Sequence, residues 1–156
     1  MFPSKRILCP TDFSEASVRA FANATEVALH NEAELYLVHV LPALLTDGGA
    51  SAVMVSLPEY ERLLQPKQRM EEMARPLLAK GLKVETLITR GDPASEIVKI
   101  AKQKAVDIIV IATHGKTGWR HLAFGSVAEK VVRTASCPVL SIRCAVRGAD
   151  ASAGAR

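Results

Sequence analysis

Short apolar runs alternate with helical patterns along most of the chain. Runs rich in Val, Ile and Leu predict five strands, at residues 5–10, 34–40, 83–88, 106–112 and 138–143. Between these runs, apolar residues recur at intervals of three and four, which is typical of helices with one buried face. The run VDIIVIA at 106–112 is apolar throughout, so we expect it to be covered on both faces and to form the centre of the sheet.

Capping residues and helix stops mark the first two predicted helices. The first helix follows the sequence TDFSEAS, in which Ser14 or Asp12 can serve as the N-cap. The second runs from about Pro58 to Lys80, and Gly81 is a typical residue for its C-terminal end. The segment before it, 42–58, mixes glycines with apolar residues and is consistent with a mobile loop, a lid or a partner-binding segment.

The last two helices carry clearer start signals. Asp92 is placed to cap the third helix, and Pro93 stands at its first position, where proline is favoured. Ser126 and Glu129 have the S-x-x-E spacing of a capping box, which predicts a fourth helix that runs to about residue 136. Both helices therefore begin shortly after a predicted strand.

The alternation of strands and helices predicts an α/β fold. Each connection between strands is long enough for a helical crossover and too long for a hairpin, so the five strands should form an open, doubly wound parallel sheet. We expect one domain over residues 1–144, because a chain of 156 residues supports one core. Residues 145–156 are small or charged and are expected to be a disordered tail.

The net charge of +4 and the pI of about 9.1 raise the question of nucleic-acid binding. Basic and acidic residues alternate along most of the chain, and aromatic residues, 4% of the total, are not interleaved with basic ones. Single-stranded nucleic acid is usually held by such aromatic and basic residues together. We therefore expect no nucleic-acid partner.

Cysteine and histidine spacing limits the other chemistry. Three cysteines, with no C-x-x-C pair, do not form a disulfide framework, which favours a cytoplasmic protein. No apolar stretch has the length of a signal peptide or of a membrane span, so no membrane association is expected. The four histidines lack cysteine or carboxylate partners at ligand spacing, and we predict no metal site built from protein ligands alone.

Two loops that follow predicted strands carry the candidate chemistry, TDFS after strand one and THGKTGWRHLAFGS after strand four. In open α/β sheets, ligands bind at the carboxyl ends of the strands where the strand order reverses. Glycines at 115, 118 and 125 let backbone N–H groups approach a polyphosphate, and Ser126 adds a hydroxyl at a helix N-terminus. The alternative is that these glycines only form turns and that Ser126 only caps a helix.

Two familiar nucleotide motifs are absent. Gly115, Lys116 and Thr117 resemble the end of a GxxxxGK[ST] loop, but the first glycine of that motif would stand where Val110 is. No GxGxxG motif is present, and strand two ends without an acidic residue for a ribose, so NAD is disfavoured. No convincing catalytic base is seen either, since neither His114 nor any other histidine of this loop has an identifiable carboxylate partner.

The segments PTDFSE, LVHV, VDIIVIATHGKTG, FGSVAEKVV and CPVLSIR together resemble the universal stress protein family over about residues 4–143. The resemblance implies the strand order 3-2-1-4-5. The nucleotide-binding branch of that family carries the pattern G-2x-G-9x-G-[S/T], which this chain meets at Gly115, Gly125 and Ser126. Ala112 stands where the first glycine of the pattern is expected.

The resemblance further implies ATP or another adenine nucleotide as the ligand, with Mg²⁺ or Mn²⁺ bound through its phosphates. It implies a regulatory or stress-response binding module and a homodimer formed through the strand at 138–143. A slow ATPase and a stress-protein dimer that binds no nucleotide are the alternatives, and Asp12 is either a ribose acceptor or a helix cap. The implied nucleotide-binding residues are Pro10, Thr11, Asp12, Val40, Ala112, Gly115, Gly125, Ser126 and Val127.

Overall fold

The computed structural model describes residues 4–43, 57–113 and 125–143; within 57–113, side chains are described from residue 65 onward. The predicted tail, most of the predicted 42–58 loop and Gly115 lie outside the described residues. The elements within them are β1 Arg6–Pro10, α1 Glu15–Asn31, β2 Glu34–Leu41, α2 Leu57–Ala79, β3 Val84–Arg90, α3 Pro93–Gln103, β4 Ile108–Ala112, α4 Ser126–Thr134 and β5 Val139–Ile142.

The five strands form one parallel sheet in the order β3-β2-β1-β4-β5, which confirms the predicted fold. In the register, Ile7 of β1 is opposite both Leu35 of β2 and Ile108 of β4. The middle strand is therefore β1, and the prediction that residues 106–112 form the centre was wrong by one position. The apolar character of β4 has the expected cause nonetheless, because an interior strand is covered on both faces.

Helices cover both faces of the sheet, each with its own apolar layer. The layer under α1 and α2 includes the buried residues Ile7, Cys9, Phe21, Ala24, Leu35, Leu37, Met70, Leu77 and Val110. The layer under α3 and α4 includes Leu8, Tyr36, Val38, Ile97, Ile100, Ile109, Ile111, Ala128 and Val131. Alternate strand residues belong to opposite layers, as the pleat requires. Among the described helices, none is both long enough and apolar enough to cross a membrane.

The structure corrects the predicted start of α4 and decides between the two N-cap candidates of α1. Gly125 is the N-cap of α4, in an extended conformation with φ −73° and ψ 155°, and as a glycine it supplies no side-chain cap. Ser126 is the first helical residue, so the predicted capping box with Glu129 is not formed. At α1 the N-cap is Ser14, whose side chain accepts a hydrogen bond from the Ser17 amide. Asp12 is therefore not the cap of α1.

Asp92 joins the N-terminus of α3 to α4. As the N-cap of α3, its carboxylate accepts hydrogen bonds from the amide of Ser95 at 3.0 Å and from the Ser95 hydroxyl at 2.5 Å. The ammonium group of Lys130, on α4, donates to the same carboxylate at 2.8 Å. The bond from Lys130, followed by those from Ser95, lowers the pKa of Asp92 to about 2.

We expect Asp92→Asn to destabilise the protein in a pH-dependent way. The pKa of Asp92 in the folded protein lies below the unfolded value of 3.8, so its charge contributes stability above about pH 4. That contribution falls away as the pH drops from about 4 towards 2. The difference in urea midpoint between the native protein and Asp92→Asn should thus be present at pH 7 and shrink below pH 4.

The control for this titration is Glu72→Gln on α2, an exposed carboxylate with no ion pair among the described residues. Glutamine removes its charge as asparagine removes that of Asp92. A midpoint difference for Asp92→Asn that stays constant between pH 7 and pH 2.5 would contradict the prediction.

Candidate functional site

The loops that follow β1 and β4 leave the same edge of the sheet. The two strands are parallel neighbours, with Leu8 opposite Ile109. From β1 the chain moves to β2 on one side, whereas from β4 it moves to β5 on the other, so the strand order reverses between them. This is the position at which open α/β sheets bind ligands. Thr11 and Asp12 follow β1 there, and Thr113 follows β4.

The loop after β1 is held by hydrogen bonds around Thr11, which is only 5% exposed. The Thr11 amide donates to the Val38 carbonyl at 2.8 Å and so extends the ladder with β2. Its hydroxyl oxygen accepts from the Phe13 amide at 3.1 Å and lies 3.1 Å from the Ser17 hydroxyl. Thr11 is therefore held in place by the sheet and by the start of α1, and its buried hydroxyl forms its hydrogen bonds inside the protein.

Asp12 is partly exposed beside Thr11. Its Oδ1 accepts a hydrogen bond from the Ser14 amide at 3.0 Å, which closes a local turn just before α1. That bond orients the carboxylate at the carboxyl edge of β1. A carboxylate oriented in this way can accept a hydrogen bond from a hydroxyl group of a ligand.

Phe13, which follows Asp12, has a left-handed backbone with φ 63°. For a bulky residue this conformation costs about 1–2 kcal/mol, so neighbouring contacts must maintain it. The ring centroid of His39 lies 4.6 Å from that of Phe13, and the guanidinium carbon of Arg69 lies 4.2 Å from the Phe13 centroid. His39 Nδ1 lies 2.8 Å from the Thr11 carbonyl oxygen and so donates to it.

The sequence analysis missed this group of Phe13, His39 and Arg69. No residue pattern distinguishes a phenylalanine that adopts a positive φ from one in an ordinary loop. Arg69 stands on α2, far from Phe13 along the chain, so the contact exists only in the folded protein. Histidine in the segment LVHV was the one available signal, since it is a polar residue in a strand.

The start of α4 is attached directly to the end of β4. The Thr113 amide donates to the Ile142 carbonyl at 3.0 Å, which extends the pairing of β4 and β5. The Gly125 amide then donates to the Thr113 carbonyl at 2.5 Å. Gly125 and Ser126 are therefore held at the carboxyl edge, and the N-terminus of α4 faces the position where the strand order reverses.

Two predicted apolar site residues lie on one side of the sheet. Val40, near the end of β2, and Val127, in the first turn of α4, both pack against the layer under α3 and α4. Ala112 lies two residues after Val110 on β4, so its side chain is on the same face of the sheet. Val110 belongs to the layer under α1 and α2. The methyl group of Ala112 is therefore on the opposite face from Val127.

The structure thus brings most of the predicted site residues to one edge. Pro10 ends β1, Thr11 and Asp12 follow it, and Ala112 and Gly125 are adjacent through Thr113. Their contacts with a nucleotide stay a prediction, and Gly115 lies outside the described residues.

Among the described residues of this edge, we find neither a reactive thiol nor a group of metal-ligating side chains. Cys9 is fully buried, and burial raises its pKa to about 12, so its thiol is not a nucleophile at neutral pH. Within residues 4–43, 57–113 and 125–143, no three His, Cys, Asp or Glu side chains are grouped to hold a metal ion. The described residues of this edge offer hydrogen-bond donors, the oriented Asp12 carboxylate and an apolar contact surface.

Comparison with known proteins agrees with this architecture. Residues 3–143 match the family model described as the universal stress protein family. Universal stress protein MJ0531 of Methanocaldococcus jannaschii is 36% identical, over 89% of this chain and 82% of its own length. Universal stress protein YxiE of Bacillus subtilis is 30% identical, over 88% of this chain and 98% of its own.

The solved structure of the protein MJ0577, also of M. jannaschii, has a TM-score of 0.72 and 34% identity to this chain. The match covers 92% of this chain and 98% of that one. Sequence and structure therefore agree over nearly the whole described fold, and the chain belongs to the universal stress protein family.

Proposed function

We propose that this protein binds an adenine nucleotide, ATP with Mg²⁺ or Mn²⁺, and acts as a regulatory stress-response module. One observation carries the proposal: the hydrogen bond from Gly125 to Thr113 attaches the N-terminus of α4 to the end of β4, next to the loop that holds Asp12. Donors for phosphates and an acceptor for a ribose then lie at one edge of the sheet.

The phosphates would be bound by the first turn of α4. The Glu129 amide donates to the Gly125 carbonyl, so the amides of Ser126, Val127 and Ala128 have no acceptor inside the helix. The N-cap, Gly125, has no side chain that could accept from these amides and no Cβ that could obstruct them. The helix dipole adds positive potential there, and the Ser126 hydroxyl adds one more donor. The divalent ion would be held by the phosphate oxygens of the nucleotide.

The nucleoside would lie across the ends of β1 and β2. Asp12 would accept from a ribose hydroxyl, while Pro10, Thr11 and Val40 would contact the adenine and ribose. Ala112, in place of the expected glycine, is compatible with this arrangement because its methyl group lies on the opposite face from Val127. A universal stress protein from Archaeoglobus fulgidus, which shares the fold at 24% identity, was solved in complex with dAMP.

A binding role is favoured over catalysis by the described residues. The groups that a slow ATPase would use, His114, Lys116 and Arg120, lie outside them. In the described part of the site, the Cys9 thiol is buried with a raised pKa, and no three metal-ligating side chains are grouped. Cys9 and Cys137 are free thiols, which agrees with the reducing cytoplasm that we propose as the location of the protein.

We predict that ATP with Mg²⁺ binds with a micromolar dissociation constant, a binding free energy of about −8 kcal/mol, measured by calorimetry. Gly125→Val should abolish binding, because its side chain would enter the space next to the α4 amides. The fold should tolerate this change, since φ −73° and ψ 155° are accessible to valine.

The matched control is Ser136→Val, which adds the same side chain at an exposed residue beyond the other end of α4 and should bind as the native protein does. If the native protein shows neither binding heat nor thermal stabilisation at millimolar ATP with Mg²⁺, the proposed function is wrong.

We also propose a homodimer formed through residues 138–143. The carbonyls of Pro138 and Ile142 accept from the amides of Ile109 and Thr113, so alternate residues of β5 face β4. The intervening residues, Val139 and Ser141, direct their N–H and C=O groups outward from the sheet edge.

The outward backbone groups of β5 support the dimer proposal. An edge strand with outward backbone groups favours pairing with another strand, and two copies related by a two-fold axis can pair antiparallel. Leu140 is 38% exposed at the same edge, and an approaching copy would cover part of it. Membrane and nucleic-acid partners are not part of the proposal.

Ser141→Pro should convert the dimer into a monomer, because proline removes an outward N–H group and leaves the pairing with β4 intact. Ser141→Thr keeps that N–H group and should remain dimeric. Multi-angle light scattering distinguishes the two, and circular dichroism checks that the fold is kept. A native protein that is monomeric at high micromolar concentration, or a dimeric Ser141→Pro variant, would contradict the proposal.

A further inference from the structure

The side chain of Arg69, on α2, contacts the loop after β1. The guanidinium of Arg69 lies over the ring of Phe13, with 4.2 Å between its central carbon and the ring centroid. This distance is within the range of a cation–π interaction. Arg69 is exposed, whereas Phe13 is half-buried and packs against the layer under α1 and α2. The loop that carries Asp12 is therefore in contact with an element that contributes no predicted site residue.

We propose that Arg69 is a positioning residue for the nucleotide site. By holding the Phe13 ring, it maintains the left-handed backbone of Phe13 and, through it, the orientation of Thr11 and Asp12. This role rests on the proposed function, because its consequence is measured as nucleotide affinity. The residue itself touches no nucleotide in the proposal.

The hydrogen bonds around Phe13 depend on its backbone conformation. The Phe13 amide donates to the Thr11 hydroxyl oxygen at 3.1 Å, and the next amide, that of Ser14, donates to Asp12 Oδ1 at 3.0 Å. A change of φ at Phe13 from 63° to a negative value reorients the peptide units on which these two donors lie. The carboxylate of Asp12 would then lose the bond that orients it.

The contacts of Phe13 with His39 and with Arg69 both oppose that change, and they differ in kind. His39 belongs to β2, contacts the Phe13 ring and donates to the Thr11 carbonyl at 2.8 Å, so it is fixed by the sheet. Arg69 is exposed on a helix, and its contact with Phe13 can be lost without opening the core. Removal of the Arg69 guanidinium should therefore lower the fraction of molecules in which Phe13 keeps its left-handed backbone. Its effect on the stability of the fold should be smaller.

A ligand that binds one loop conformation has its apparent affinity reduced by the fraction of protein in that conformation. An exposed cation–π contact has the strength to change such a fraction roughly two- to fivefold. By reciprocity, nucleotide bound at the loop would strengthen the contact between Phe13 and Arg69. Arg69 thus gives α2 an energetic connection to the site.

The test uses calorimetry of Mg-ATP binding to the full chain. Arg69→Met keeps much of the side-chain length but removes the charge, and it should weaken binding about two- to fivefold. Arg69→Lys keeps a cation over the ring and should restore most of the affinity. Arg75→Met, an exposed arginine on the same helix with no contact to Phe13, should bind as the native protein does.

A double-mutant cycle separates positioning from a general effect. Phe13→Leu keeps apolar bulk but removes the aromatic ring, so Arg69→Met should cause no further loss of affinity in that background. An equal loss with and without the ring would overturn the proposal.

A second measurement does not need nucleotide. Hydrogen exchange at the amides of Phe13 and Ser14, in the nucleotide-free protein, should be faster in Arg69→Met than in the native protein and in Arg75→Met. If the native protein binds no ATP, the proposed function is wrong. The hydrogen-exchange rates of the Phe13 and Ser14 amides then decide by themselves whether Arg69 holds the loop. Native exchange rates in Arg69→Met would overturn that role.

Discussion

The pairing of β1 on both of its edges is the interaction on which the rest of the structure depends. The backbone groups of a buried strand have no access to water and must be bonded by neighbouring strands. Ile7, Leu8 and Cys9 have no exposed surface; β2 pairs with all three, and β4 pairs with Ile7 and Leu8. Because the pairs are parallel, the chain must cross over by a helix each time, and the strand order reverses between β1 and β4.

Because the strand order reverses there, the loops after β1 and β4 lead away in opposite directions and leave a crevice at the carboxyl ends of the two strands. The loop after β1 is short and is closed by its own hydrogen bonds, which involve Thr11, Asp12 and Ser14. The turn imposes a strained backbone on Phe13, and contacts from β2 and α2 maintain it. Strain of this kind is commonly found at functional sites, where the surrounding structure fixes it. The geometry around Asp12 therefore depends on residues from three different elements.

The helix N-termini at this edge differ in how their amides are satisfied. Ser14 caps α1, and Asp92 caps α3 while it also binds Lys130. At α4 the N-cap is Gly125, which provides no side-chain acceptor. The dipole of α4 is thus not offset by a side chain at its cap, whereas that of α3 is offset by a carboxylate. This difference is the reason that we assign the phosphates of the proposed nucleotide to α4.

The sequence by itself determined the elements, their alternation and the two loops that matter, because burial on a strand or a helix face imposes a period on apolar residues. The family pattern added the strand order, the glycine positions and most of the residues at the edge. The N-cap of α4 was displaced by one residue, since the hydrogen bond from Gly125 to Thr113 fixes where the helix begins. The sequence also did not show that β1 is the middle strand. All interior strands carry similar apolar runs, and only the pairing of the strands determines their order.

Only the tertiary structure decided the conformation of Phe13, the contact of Arg69 with it and the outward groups of β5. Each of these depends on residues distant in sequence: Arg69 lies on α2, and the orientation of the β5 backbone follows from its bonds to β4. Local sequence encodes how much of a segment is buried. It does not encode which distant side chain will hold a strained residue, because that contact forms only once the helices have packed on the sheet.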